Sequence, residues 1–213
     1  MASRIKICGI STPETLDAVL AARAEYIGFN FFPPSPRHVS FDQVAALASR
    51  AGDRNSKVGV FVDADDALIA AAVEAGKLDA IQLHGEETPK RASELKSRFG
   101  KPVWKVISVS SAADIARGAD YRGAADFILY DAKTPKDAAL PGGMGLRFDW
   151  SLLREEKSRL PWGLAGGLSA SNVADAIAQT GAQMVDTSSG VETAPGAKDA
   201  DAIAAFCSAV RKA

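Results

Sequence analysis

Cysteine and histidine are scarce, two of each among 213 residues. Two thiols cannot build a disulfide framework, and two imidazoles do not by themselves make a metal cage. The shortage points to a reduced, cytoplasmic protein without a structural metal. An excess of one charge is missing as well: 25 Lys plus Arg stand against 26 Asp plus Glu. Such a balance argues against the basic surface that neutralises nucleic-acid phosphates. No apolar run approaches the ~18 residues that span a membrane, and the opening MASRIKICGI enters a strand-like pattern with no apolar signal core. No linker, low-complexity tract or long charge run divides the chain. With 47% hydrophobic residues and this length, one domain over residues 1–213 is expected.

What the chain does have is alternation. Short β-branched and apolar runs alternate with Ala-rich segments at helical spacing. Strand candidates begin at Arg4, Tyr26, Lys57, Ala80, Pro102, Phe127, Trp162 and Met184. Helix candidates cover Pro13 to Arg23, Phe41 to Arg50, Asp65 to Ala75, Thr88 to Phe99, Ala112 to Arg117, Asp149 to Leu153, Ser169 to Gln179 and Asp199 to Lys212. Thr12 before Pro13 is a helix-start signature. Gly76, Gly100, Gly118 and Gly181 fall where helices end and positive φ is wanted. Eight βα units with nothing left over predict an α/β fold of the closed single-domain (β/α)8 TIM-barrel type. The competing doubly wound sheet calls for a glycine fingerprint after the first strand, where CGI stands instead.

Strand phase then selects the inward residues. With Ile5 and Ile7 toward the helices, Lys6 and Cys8 face the lumen. Gln82 and His84 face inward on the fourth strand, and Asp186 and Ser188 on the eighth. Asp131, ending the sixth, shares its face with Phe127 and Leu129. Active sites of this architecture lie at the C-terminal rim, so Cys8, His84, Asp131 and Asp186 should converge on one cavity. Three of them also have a structural reading: Cys8 as a small buried hydrophobe, His84 as a loop brace, Asp131 as a turn cap. Cys207 shares an apolar helix stripe with Ile203 and Val210 and reads as core, out of reach of Cys8.

Glycine-rich segments follow late in the chain: PGGMG at 141–145, AGG at 165–167 and SSG at 188–190. The last two succeed the seventh and eighth strands, where this fold builds phosphate sites from backbone N–H groups. Turns alone also explain glycine pairs, but two pairs on those two loops, with Ser188 and Ser189 beside one, favour a phosphorylated small molecule. No Walker motif or dinucleotide fingerprint is present. The Pro-stiffened PPSPRHV at 33–39 should hold Arg37 over the rim, where a guanidinium matches a carboxylate bidentately; an Arg lying on the surface is the alternative. Phe29, Phe31 and Phe32 read first as core and second as a wall for an aromatic ring.

KICGI, GFNFFPPSPRHV, VGVFV, IQLHG, Asp131 followed by a GG-x-G loop, LAGGL and VDTSSGVE occur in order over essentially the whole chain. Together they resemble the phosphoribosylanthranilate isomerase family. The resemblance implies a (β/α)8 barrel with no cofactor and no metal that rearranges N-(5'-phosphoribosyl)anthranilate, an aminoaldose, to its 1-deoxyribulose 5-phosphate ketose in tryptophan biosynthesis. By matching motif it implies Cys8 as general base and Asp131 as general acid. Arg37 falls near the anthranilate, Gly166, Gly167, Ser188 and Ser189 on the phosphate, and Asp186 at the family's VDxSSG position. Gln82 and His84, inward by strand phase, are expected to bind substrate together with Asp186. Met144 replaces the Thr frequent in the GG-x-G loop. Thr187 stands where Val is common and should matter little.

That chemistry needs a thiolate at Cys8, so the site should lower its pKa with help from Lys6. It also needs a protonated Asp131, favoured by burial and opposed by Lys133 if that side chain points inward. The other readings are a histidine-pathway aminoaldose isomerase, which pairs two Asp residues where this chain has Cys8 on the first strand, and indole-glycerol-phosphate synthase, which uses Lys and Glu chemistry and a longer N-terminal extension. A catalytically silent phosphate-ligand barrel is a third. The expected partner is a small phosphosugar, with no nucleic acid or membrane, and a monomer is preferred over a homodimer.

Overall fold

Ile5, Ile7, Ile27, Ile81, Leu83 and Val185 alternate with lumen-facing residues and are fully buried among Leu16, Val44, Ile69, Leu95, Ile203 and Phe206 of the surrounding helices. This period-two burial lets each strand seal a helix on one face and line a lumen with the other. The computed structural model describes residues 3–134, 143–156 and 158–213. Parallel strands β1 (Arg4–Cys8), β2 (Tyr26–Asn30), β3 (Ser56–Phe61), β4 (Ala80–Leu83), β5 (Val103–Val109), β6 (Phe127–Ala132), β7 (Trp162–Leu164) and β8 (Met184–Thr187) form a closed barrel in that order. β8 pairs back onto β1 with Lys6 opposite Asp186. Helices α1 (Pro13–Ala21), α2 (Phe41–Ala51), α3 (Asp66–Gly76), α4 (Pro89–Phe99), α5 (Ala112–Ala116), α6 (Val173–Thr180) and α7 (Ala200–Lys212) are the intervening elements. Thr12 caps α1 as its sequence predicts, accepting from the Thr15 amide with Pro13 in the first turn.

The lumen has a separate apolar core. Val58, Ala80, Trp104, Val106, Phe127, Leu129, Ala165 and Met184 pack there with Tyr26 against them. Tyr26 meets Trp104 edge-on at 5.2 Å, and Trp104 meets Phe127 at 4.9 Å. Most of these residues come from strand beginnings, so the N-terminal end of the barrel is plugged and polar side chains are left to the opposite rim.

Several local expectations are corrected. The segment at 149–153 is a 3-10 turn, Trp150–Glu155, rather than an α-helix. α6 starts at Val173, because Asn172 spends its amide side chain on the Ser169 N–H and the Gly167 carbonyl. Gly100 and Gly181 do take positive φ, but Gly76 and Gly118 do not. At α3 the left-handed cap is Lys77. Gly118 is instead small for packing: a Cβ there would fall 2.4 Å from the Tyr130 hydroxyl. A two-stranded hairpin, β9 (Glu192–Ala194) with β10 (Ala197–Lys198), lies between β8 and α7, where no strand is expected.

The loop after β4, which carries His84, is tied down by a buried ion pair. Lys105 Nζ on β5 donates to Glu87 Oε2 at 2.9 Å and to the Gly85 carbonyl at 2.6 Å. Glu87 in turn accepts from the amides of Asp63 and Gly85. Removing one partner leaves the other charge buried alone, so Lys105→Ala should destabilise the fold by about 3–5 kcal/mol in urea unfolding. A loss below about 1 kcal/mol would put this pair in the class of solvated surface bridges.

Candidate active site

The C-terminal ends of the strands enclose one open cavity of about 800 Å³. All ten residues singled out in the sequence, Cys8, Arg37, Gln82, His84, Asp131, Gly166, Gly167, Asp186, Ser188 and Ser189, line it. Phe32 lines it too, whereas Phe29 and Phe31 are core, Phe31 stacking on Phe61 at 5.2 Å. Gly143, Met144 and Gly145 contribute from the loop after β6. Pro141 and Gly142 of the same motif lie outside the described residues.

Cys8 ends β1 beside Gly28 on β2. A Cβ on Gly28 would fall 2.9 Å from Cys8 Sγ and 3.2 Å from Lys6 Nζ, so glycine is what leaves room for both groups in the lumen. Lys6 is wholly buried and donates to Asp186 Oδ2 at 2.9 Å. Burial works to discharge Lys6, but Asp186 and Cys8 outweigh it and hold the ammonium protonated. Asp186 is pushed up by burial against the pull of Lys6. The expectation of a lowered thiol at Cys8 is corrected. Burial pushes it up, and although Lys6 and Lys198 oppose this, the net direction is upward. Desolvation of a thiolate at this strand end exceeds what cations already paired to carboxylates return.

Across the cavity, Asp131 is buried at the end of β6 and accepts from the Ala132 amide at 2.8 Å. His84 Nε2 is 3.5 Å from Asp131 Oδ2. Lys133 is exposed and so does not crowd this carboxyl group from the lumen. Gln82 Oε1, His84 Nε2 and Asp186 Oδ1 are buried without a hydrogen-bond partner among the described residues. Three orphaned polar atoms facing one cavity are a cost that a polyhydroxylated ligand would relieve.

Gly166 and Gly167 both take positive φ, at 88° and 60°. A Cβ on Gly166 would meet the Ala132 nitrogen at 2.6 Å, so the loop after β7 lies directly against the end of β6. The amides of Gly166, Gly167 and Ser189 donate to no protein acceptor among the described residues, which makes them available to an anion. The loops after β7 and β8 interlock: a Cβ on Gly190 would fall 1.8 Å from the Leu168 carbonyl oxygen. Thr187, expected to matter little, donates its hydroxyl to that same carbonyl at 2.7 Å. The Ser188 hydroxyl donates to the Cys8 carbonyl at 3.1 Å rather than into the cavity.

Arg37 differs most from its sequence reading. Its Nε and Nη2 donate in parallel to Glu192 Oε1 and Oε2 at 2.8 and 2.7 Å, and Nη2 also reaches the Gly143 carbonyl. The bidentate edge expected for a ligand carboxylate is therefore occupied from within. Only Nη1 has no partner among the described residues. Lys198 Nζ, fully buried, bonds Glu192 Oε1 at 2.5 Å and the Ser188 carbonyl and hydroxyl at 3.0 Å. Burial pushes the Glu192 carboxyl up, but Arg37 and Lys198 outweigh it and hold it below the ordinary range. Glu192 and Lys198 were missed in the sequence. Glu192 closes the VDTSSGVE motif, which was the available signal, whereas Lys198 has none until the hairpin folds.

The comparisons agree with this geometry. A family model described as N-(5'phosphoribosyl)anthranilate (PRA) isomerase matches residues 5–209. The curated N-(5'-phosphoribosyl)anthranilate isomerase of Rhodopseudomonas palustris strain BisB18 is 53% identical, over 97% of this chain and 95% of its own. That of Zymomonas mobilis subsp. mobilis is 51% identical over 99% of both. The crystal structure of phosphoribosyl anthranilate isomerase from Thermotoga maritima superposes with a TM-score of 0.88 at 34% identity, covering 99% of this chain and 100% of that one. Another solved isomerase, 32% identical with a TM-score of 0.86 over 99% and 100% of the two chains, is in complex with reduced 1-(o-carboxyphenylamino)-1-deoxyribulose 5-phosphate. The barrel, its polar rim and these relatives together make this chain a member of the N-(5'-phosphoribosyl)anthranilate isomerase family.

Proposed function

We propose that Cys8 and Asp131 perform the family's reaction here, the Amadori rearrangement of N-(5'-phosphoribosyl)anthranilate in tryptophan biosynthesis, as general base and general acid. The observation that carries this assignment is their placement on β1 and β6 of one cavity, with three unsatisfied polar atoms between the walls. Asp131 gives its proton to the ribose ring oxygen as the C1'–O bond breaks, and the anthranilate nitrogen lone pair closes a protonated Schiff base at C1'. The Cys8 thiolate removes the C2' proton. The C–H electrons become the C1'=C2' bond, and the iminium electrons return to nitrogen. The resulting enolamine takes a proton at C1' and loses one from the C2' hydroxyl, giving the ketose. The substrate nitrogen serves as electron sink, so the steps use only these two proton carriers.

The remaining residues divide the ligand among them. Gly166, Gly167 and Ser189 present backbone amides to the phosphate, with Ser188 lining the same end of the cavity. Gln82, His84 and Asp186 face the sugar, and Nη1 of Arg37 takes the anthranilate carboxylate. The ligand in the 32% identical relative supports an anthranilate-bearing phosphosugar as occupant. No helix among the described residues is long and apolar enough to cross a membrane. We read the chain as one cytoplasmic catalytic domain and, with no exposed heptad or unusually apolar helix in its sequence, as a monomer. Solved relatives from Thermotoga maritima include a dimer and monomers generated from it.

Cys8→Ser and Asp131→Asn should each lower kcat/KM by about a hundredfold or more in an assay of lost substrate fluorescence. Near-normal turnover in either variant removes that residue's role. Because the base must be unprotonated and burial raises its pKa, kcat/KM should rise with pH through the thiol titration. Lys6→Met should move that limb to higher pH; an unmoved limb would dissociate Lys6 from the thiol. Arg37→Ala should raise KM and lower kcat/KM, and unchanged constants would place the carboxylate elsewhere.

A further inference from the structure

Arg37 is charged and at the rim, yet its better edge is not offered to the cavity. Glu192 holds Nε and Nη2 in a two-bond fork, which fixes the guanidinium plane and leaves Nη1 as the free corner. Glu192 is not on the loop that carries Arg37; it sits on the hairpin between β8 and α7. That hairpin also presses on the Arg37 loop, since a Cβ on Gly196 would fall 2.6 Å from the Pro36 carbonyl oxygen. From Glu192 the network continues through Lys198 to Ser188, and from Ser188 to the carbonyl of Cys8. Side chains held this firmly at the edge of a ligand cavity, with cation and anion paired on nearly inaccessible surfaces, are preorganised and lose little freedom on binding.

We propose that Glu192 is a specificity-determining positioning residue, which aims Nη1 of Arg37 at the ligand's ring carboxylate while withholding the rest of the guanidinium. This rests on the reading of Arg37 given above. The withheld edge matters because an Arg with its full fork exposed would grip any small anion bidentately. With Nη1 alone, the contact is worth most to a carboxylate that the rest of the ligand already places at that point. Recognition of the aryl carboxylate is then a property of three loops acting through one carboxyl group.

The test compares two inhibitors on the intact protein: reduced 1-(o-carboxyphenylamino)-1-deoxyribulose 5-phosphate and the same compound without its ring carboxylate. The ratio of their inhibition constants measures carboxylate discrimination within each variant, so it is independent of the fraction of folded protein. The parent should favour the carboxylate compound by about tenfold or more, as expected for a charge-assisted contact. Glu192→Gln should cut that ratio by about fivefold or more, chiefly by weakening the carboxylate compound. In an Arg37→Ala background the same substitution should leave the ratio unchanged, because the residue acts through Arg37. Lys198→Met, which releases one lobe of Glu192, is the second variant should Glu192→Gln fail to fold, and it should lower the ratio by a smaller factor. A merely structural Glu192 would weaken both inhibitors equally, and an unchanged ratio in Glu192→Gln overturns the inference. If the parent turns over no substrate, the isomerase reading fails; if it turns over substrate without discriminating, the Arg37 contact and this inference fail together.

Discussion

The ion pair between Lys6 and Asp186 underlies both the fold and the site. The two residues are register partners on the first and last strands, so their contact lies on the seam where the barrel closes. It also forms the floor beneath Cys8. Buried pairs of this kind contribute little net stability over apolar packing, yet losing one member is costly. The seam therefore tolerates both charges or neither. Both charges lie beside the Cys8 thiol, on which Lys6 acts as a counter-charge. The thiol nevertheless remains harder to ionise than in water, since burial outweighs the cations around it.

A division of labour follows along the barrel axis. At one end Tyr26, Trp104 and Phe127 interlock and exclude water. At the other the strands end in polar groups, several without partners. The loops of this rim are held from outside the cavity. Lys105 with Glu87 holds the His84 loop, and the β9–β10 hairpin holds the Arg37 loop. The supports stand outside the cavity, which keeps the cavity free for its ligand.

The strand alternation was legible in the sequence because it is local. Ile5, Lys6, Ile7 and Cys8 declare their faces by period alone, and all ten expected lining residues reached the cavity. The β7 and β8 glycine loops were legible through fold geometry. What escaped depends on contacts between distant segments. Arg37 looks free until a residue 155 positions away takes its fork. The pKa direction at Cys8 follows from a balance of burial against paired charges, which no linear pattern encodes. Gly76 and Gly118 read as caps although packing against Leu78 and Tyr130 is what requires them to be small.

The fit of Gly190 against the Leu168 carbonyl has an evolutionary side. At this point a backbone carbonyl of one loop leaves no room for a side chain on the other. A shift of one backbone would need a matching shift of the other to keep this clearance. Grafting either loop alone into another barrel would import a collision, whereas the pair together carries its own mutual clearance.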